Sequence, residues 1–272
     1  MVERYSYKVD VLGPIPSTPT LFMTKVSSNV LLAVGAHPDY IDFMASGTIA
    51  KFVSEGWDVF YVLCTDGSRG SDIPDMTHAR LAQIRRDEQI AAGKILGVTD
   101  IFFLEHPDTQ LEANLQLKEE LVRIIRRLRP RIVITMDPTF YYSKEPQFLG
   151  YHFINHTDHR AAALATMDAV FPLSRDRLIF PEHEKEGLGL HAVEELWLTC
   201  FEEKRHIVDI TEMFGKKLQA IAAHKSQYDD FPSIKERMEK RAISFAEDEQ
   251  YTFAENFTRL LLPPHRNRVE KK

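Results

Sequence analysis

The sequence predicts an α/β protein: a Rossmann-like three-layer fold with a mostly parallel sheet and an irregular C-terminal part. Three observations predict it. Apolar runs rich in β-branched and aromatic residues recur at 30–36, 58–64, 101–104 and 131–136, each of strand length. Helical spacing follows these runs through residue 170, and such alternation builds a parallel sheet covered by helices. Polar residues with chemistry leave the ends of the runs, where the crevice beyond the carboxyl ends of parallel strands receives ligands.

The first run, Val30 to Ala36, reads as a buried strand that delivers His37, Pro38 and Asp39 onto a tight turn. A helix from Phe43 to Ser54 follows and ends near Gly56, as a C-cap glycine dictates. Asp58 to Cys64 is the second strand, and the Gly/Ser/Asp/Pro loop from Thr65 to Met76 borders the same crevice. Thr77 is the N-cap of a helix running to Leu96, and Gly97 stops it. Ile101 to Leu104 is the third strand, after which His106-Pro107-Asp108 repeats the earlier triplet. No complementary acid or histidine follows it, so it reads as a turn with a polar tip, dispensable for metal binding. A helix begins near Gln116, and Arg131 to Met136 is the fourth strand.

Residues 137–155 form a long loop bearing Phe140, Tyr141, Tyr142, Phe148 and Tyr151, a composition suited to a lid or substrate wall. His156-Thr157-Asp158-His159-Arg160 then opens an Ala-rich helix to Val170. Beyond it the expected elements are strands at 192–201 and 206–209 and helices at 211–223 and 233–244.

The 272 residues suffice for one large domain or two small ones. No repeat, low-complexity linker or composition shift divides them. The expected organisation is an N-terminal arm over 1–28, one α/β domain over 29–262 and a fraying tail over 263–272. A hydrophobic fraction of 44% and a charged fraction of 27% are those of an ordinary globular protein. The net charge of −6 argues against a general nucleic-acid binder. The arginines at 123, 126, 127, 129 and 131 interleave with Leu121, Ile124, Ile125 and Leu128 as the solvated face of an amphipathic helix. Cys64 and Cys200 lie in apolar runs and read as buried reduced thiols. The start lacks an apolar signal core and no run reaches membrane-span length, so the expected compartment is the cytoplasm. There is no GxGxxG and no Walker loop, which disfavours a nucleotide-binding Rossmann protein.

Two constellations carry chemistry. His37 with Asp39 and Asp42 has the residue types of a metal site, or of a solvated loop with a capping Asp. His156 and His159 stand one helical turn apart with Asp158 between them. One imidazole is free to ligate a metal while the other faces substrate and Asp158 orients a ring; the plain alternative is a capped helix start with exposed histidines. Both motifs leave strand ends, so His37, Asp39, His156 and His159 are expected in one cleft.

In this order the motifs resemble the PIG-L/LmbE-like family of zinc-dependent N-deacetylases, over roughly residues 29–228. The resemblance rests on Gly35-Ala-His-Pro-Asp39, Thr65-Asp-Gly, and Arg85, Arg86 and Glu88 ahead of Ala91-Ala-Gly-Lys-Ile-Leu-Gly-Val98. His156 to Arg160 and His224-Lys-Ser-Gln227 complete it. It implies hydrolysis of an N-acetyl amide, typically on a glucosamine-type sugar, with Zn2+ as cofactor. It implies His37 and His159 as zinc ligands, Asp39 as general base, His156 as oxyanion stabiliser and Asp158 as its charge partner. Arg85, Arg86, Tyr142 and His224 are the substrate-binding candidates. Relatives that form trimers or hexamers make a homo-oligomer an expectation.

Three positions depart from the pattern. The family motif is His-Pro-Asp-Asp, and Tyr40 replaces the second Asp, the third zinc ligand. A neutral phenol is a poor substitute. Asp42 compensates only if the turn is reshaped, since two residues along a helix rotate a side chain about 200° away. Asp39 on the metal would be a poorer base. Thr157 replaces a proline, a mild change at a helix start, and Ser68 stands where relatives place a substrate-touching acid. The resulting expectation is a metal-dependent hydrolase removing an N-acetyl group from an amino sugar or related small amide. Its rival is a relative that binds such a ligand without hydrolysing it.

Overall fold

The computed structural model describes residues 29–144, 151–199, 205–247 and 250–264. The expected arm over 1–28 lies outside the described residues, as do Phe148, Cys200 and most of the expected tail. The elements are β1 (Val30–Gly35), α1 (Tyr40–Ser54), β2 (Asp58–Thr65), α2 (His78–Leu96), β3 (Asp100–His106), α3 (Leu115–Leu128), β4 (Ile132–Met136) and α4 (Thr157–Val170). After these come a short helix α5 (Glu182–Lys185), β5 (Glu195–Thr199), β6 (His206–Asp209), α6 (Phe214–Ala223), α7 (Phe231–Ala246) and β7 (Ala254–Leu261).

The sheet has the order β3-β2-β1-β4-β5-β7-β6. Strands β1 to β5 run parallel, and β7 is antiparallel to both β5 and β6. Alternation along each strand sorts side chains into two cores. Leu31, Ala33, Tyr61, Leu63 and Ile134 pack against α1, α2, α6 and α7, whereas Leu32, Val34, Val62 and Val133 pack against α3 and α4. This is the expected three-layer arrangement, and both faces of β1 are buried.

Several boundaries follow from local chemistry. Thr77 accepts from the Arg80 N–H at the start of α2, a cap of about 1 kcal/mol. Gly97 ends that helix at a φ of 87°, and a Cβ there would lie 2.9 Å from Val53 Cγ1. Asn114 caps α3 through the Leu117 N–H. Helix α1 begins at Tyr40, earlier than its apolar spacing indicates, because the Asp39 carbonyl already accepts from the Phe43 N–H. Strand β7 has no counterpart in the sequence reading. Its buried positions include Glu255 and Asn256, on opposite faces, and they interrupt the apolar alternation that marks a strand.

The strand order reverses direction of winding between β1 and β4, the topological switch point at which open α/β sheets bind ligands. The His37 turn leaves β1 and the His156 segment opens α4 after β4, so both constellations flank that point.

Candidate active site

The turn after β1 is fixed from two sides. Asp39 adopts a φ of 91° and a ψ of −40°, a conformation uncommon for residues with a Cβ. Its N–H donates to Gln89 Oε1 at 3.0 Å. Arg85, buried, donates from Nη2 to the Pro38 carbonyl at 2.9 Å and from Nη1 to the Gly67 carbonyl at 3.0 Å. Gly67 is required by close approach, since a Cβ there would stand 2.9 Å from Pro38 Cδ. The Thr65-Asp-Gly segment thereby becomes a wall of the His37 turn. Asp66 ties in β3 by accepting from the N–H groups of Ser68 and Asp108.

His37 is the hub. Its Nε2 lies 2.9 Å from Asp108 Oδ1 and 3.2 Å from Asp158 Oδ2, and its Nδ1 lies 3.1 Å from His159 Nε2. His159 in turn directs Nδ1 at Asn155 Oδ1, 3.1 Å away. His156 caps α4, its Nδ1 accepting from the Asp158 N–H, so the hydrogen-bond network assigns the proton of the neutral ring to Nε2. The three imidazoles cluster with ring centroids 4.8 to 5.4 Å apart. The expected convergence of the two motifs in one place is what the fold delivers. Asp39 joins them from the adjacent turn, its carboxylate accepting from the Tyr228 hydroxyl at 3.1 Å with Arg85 Nη2 at 3.6 Å.

Electrostatics separate these groups. Burial pulls the His37 pKa down, but hydrogen bonds to Asp108 and Asp158 outweigh it and raise the value to about 9. Burial and then the His37 charge lower His156, and the same causes lower His159 further. Asp108 is held well below the usual carboxylate range: burial opposes this, but the His37 hydrogen bond and charge prevail. Asp39 moves the other way, raised by burial against the pull of Arg85.

The donor set fits a cation between His37 and His159. The outer nitrogen of each ring is tied to an oxygen acceptor, so the facing nitrogens both present lone pairs across 3.1 Å. Such a facing pair suits a cation held between the two rings. His37, His156 and Asp158 also offer ligand atoms within 4.8 Å of one another. Tyr40 adds no carboxylate here. Its ring packs on His159 at 4.6 Å between centroids and its hydroxyl lies 3.3 Å from Thr199 Oγ1.

The PIG-L family (GlcNAc-PI de-N-acetylase) matches residues 32–170, the stretch that spans both histidine motifs. The chain belongs to the PIG-L family. It is 32% identical over 203 residues to the diacetylchitobiose deacetylase of Thermococcus kodakarensis, covering 73% of this chain and 70% of that one. It is 30% identical over 247 residues to the 1D-myo-inositol 2-acetamido-2-deoxy-alpha-D-glucopyranoside deacetylase of Rhodococcus erythropolis, covering 76% and 84%. The solved N,N'-diacetylchitobiose deacetylase of Pyrococcus horikoshii superposes with a TM-score of 0.76 at 27% identity, over 86% of this chain and 84% of that one.

Against the PIG-L motifs, some expected contacts are absent, and one group expected only as a turn tip beside the cleft enters the histidine cluster. Asp42 is not available to a metal at His37. It is fully buried on the other side of α1, where it accepts from Tyr61, Gln89 and His224. His224, expected against substrate, is buried with Nε2 on Asp42 at 2.8 Å. Arg85 braces the turn, while Arg86 lies on the surface with Glu105 and over the Phe103 ring. Tyr142 is exposed and pairs with Ile154 across the described ends of the aromatic loop. Asp158 bonds to His37 and to the N–H groups of Thr109 and Leu111, where the resemblance had paired it with the His156 ring. That group is Asp108. The turn reading holds for the backbone, with the Gln110 N–H on the Pro107 carbonyl, and His106 pairs with Glu120 away from the other histidines. The Asp108 carboxylate instead turns inward and reaches His37. The only signal for it was its position after a strand on the same sheet edge.

Proposed function

We propose that this PIG-L protein is a zinc-dependent N-deacetylase that removes the acetyl group from a small acetylated amino sugar. The observation that carries the reading is the facing pair of His37 Nδ1 and His159 Nε2, 3.1 Å apart beside Asp39 and His156. These two nitrogens would hold the zinc, with Asp108 and Asp158 orienting His37 and Asn155 orienting His159. Zinc supplies Lewis acidity toward the amide carbonyl and makes water a stronger acid.

The chain's own groups do the rest. Asp39 is the base: burial makes its carboxylate a better proton acceptor, and Tyr228 and Arg85 fix its position. His156 is the oxyanion donor, because its Nδ1 is occupied as an acceptor and its Nε2 carries the hydrogen. Asp158 keeps the α4 terminus against the β3 turn through the Thr109 and Leu111 N–H groups. Tyr141, Tyr142 and Tyr151 are exposed on the aromatic segment and offer ring faces on which a sugar can pack. An acetamido sugar as substrate is supported by the relatives, whose names specify diacetylchitobiose and a 2-acetamido-2-deoxy-glucopyranoside.

Acetate release from N-acetylglucosamine and diacetylchitobiose, with the protein loaded with zinc, tests this. Turnover is expected, and Asp39→Asn should lower kcat by roughly 10²- to 10⁴-fold with zinc content unchanged. A zinc-loaded wild type that binds these sugars but releases no acetate would replace the hydrolase with a ligand-binding relative.

A further inference from the structure

A polar chain runs beneath the His37 turn and uses groups that the reaction itself leaves idle. It begins at His224, at the C-terminal end of α6, whose Nε2 lies 2.8 Å from Asp42 Oδ2. Asp42 takes a second contact from the Tyr61 hydroxyl of β2 at 3.0 Å and a third from Gln89 Nε2 at 2.7 Å. The other end of the Gln89 amide accepts the Asp39 N–H at 3.0 Å. Asp42, Tyr61 and Gln89 are fully buried and His224 nearly so. The acceptor orientation of Gln89 is therefore set from below: its NH2 donates to an Asp42 carboxyl oxygen, which leaves the amide oxygen facing the turn.

We propose that Gln89, oriented by Asp42 and His224, is a positioning residue that holds Asp39 in its positive-φ conformation and so aims the base. The geometry explains features that burial alone does not. A residue with a Cβ at φ 91° persists only where its surroundings over-determine it. Here the Asp39 N–H is pinned by Gln89, the preceding carbonyl of Pro38 by Arg85, and the carboxylate by Tyr228. Helix α2, through Gln89 and Arg85, and the loop that carries Tyr228 thus converge on a single turn residue. Of these contacts, Gln89 alone acts on the Asp39 amide. It also explains why an acid stands at position 42 without reaching His37, His156 or His159: it selects which way the glutamine faces. The proposal rests on the reading of Asp39 as base, but the conformation of residue 39 can be measured apart from catalysis.

The preference of position 39 for glycine over alanine reads its backbone directly, because both substitutions remove the same carboxylate contacts. With the rest of the chain wild type, Asp39→Gly should melt about 2–4 °C above Asp39→Ala. Adding Gln89→Met, which keeps the volume and removes both hydrogen bonds, should at least halve that gap. In the chain with Asp39 intact, Gln89→Met should lower kcat roughly 10- to 100-fold, leaving KM and zinc content unchanged. Asp42→Asn is the isosteric second variant, usable if Gln89→Met folds poorly, and should shift the same readouts in the same direction. A glycine-over-alanine gap that is absent at the start, or that survives both Gln89→Met and Asp42→Asn, overturns the proposal. So does an unchanged kcat in both variants. Should Asp39→Asn retain full turnover, the assignment of the base falls, while the thermal coupling between positions 39 and 89 still stands.

Discussion

Tyr40 puts an aromatic ring where the His-Pro-Asp-Asp pattern has a carboxylate. The PIG-L pattern brings a carboxylate to the metal, and here a phenol packs on His159 with its hydroxyl against Thr199. Negative charge instead stands one step back, where Asp108 and Asp158 both contact Nε2 of His37. Charge at that remove strengthens the imidazole as a ligand without occupying a coordination position. Zinc affinity should therefore be lower than a three-ligand set would give, and Tyr40→Asp should raise it on the order of tenfold or more. A competition titration of zinc against a chelator of known affinity measures this for both proteins. Equal affinities would mean that another group, such as His156, completes the shell in the wild type.

Helix α1 shows how an element that carries a site is anchored. Lys217 from α6 donates to the carbonyls of Asp42 and Phe43 and to Glu255, while Glu255 from β7 accepts from the N–H groups of Gly47 and Thr48. Both side chains are buried, and burial lowers the Lys217 pKa against the opposing pull of Glu255. Such a pair contributes little net stability over an apolar replacement, but removing one partner strands the other charge. Glu255→Leu alone should cost about 3–5 kcal/mol in urea unfolding, and Lys217→Met combined with Glu255→Leu should recover much of that loss. A double variant no more stable than the single one would show that the backbone contacts, not the stranded charge, set the cost. The same pair explains why β7 is hard to read: its inward-facing glutamate serves a helix, not the sheet's apolar face.

At the scale of the whole molecule, the site is an intersection of distant segments. His37 follows β1, Asp108 follows β3 and His159 stands on α4, with 71 residues separating the first two and 122 the first and last. A ligand that bridges them should stabilise the native fold against unfolding by mass action. Zinc at about a hundred times its Kd should raise Tm by roughly 5–10 °C in differential scanning calorimetry. His37→Ala and His159→Ala should each abolish the shift. A shift that persists in both variants would place the stabilising ion elsewhere.

The sequence by itself determined the layer architecture, the boundaries of α2 and the meeting of the two histidine motifs. These follow from periodicity, from Thr77 and Gly97 as helix signals, and from the rule that loops after parallel strands share an edge. They are local properties, or properties of chain order, so one chain displays them. Only the tertiary structure decided which donors the acids meet. Asp42 and Asp108 carry the same carboxylate, each a few residues past a strand. Helical rotation turns Asp42 under α1 to Tyr61, Gln89 and His224, whereas the β3 turn swings Asp108 onto His37. The role of a buried acid is set by the donor it meets, and those donors come from segments tens of residues away that only packing brings together.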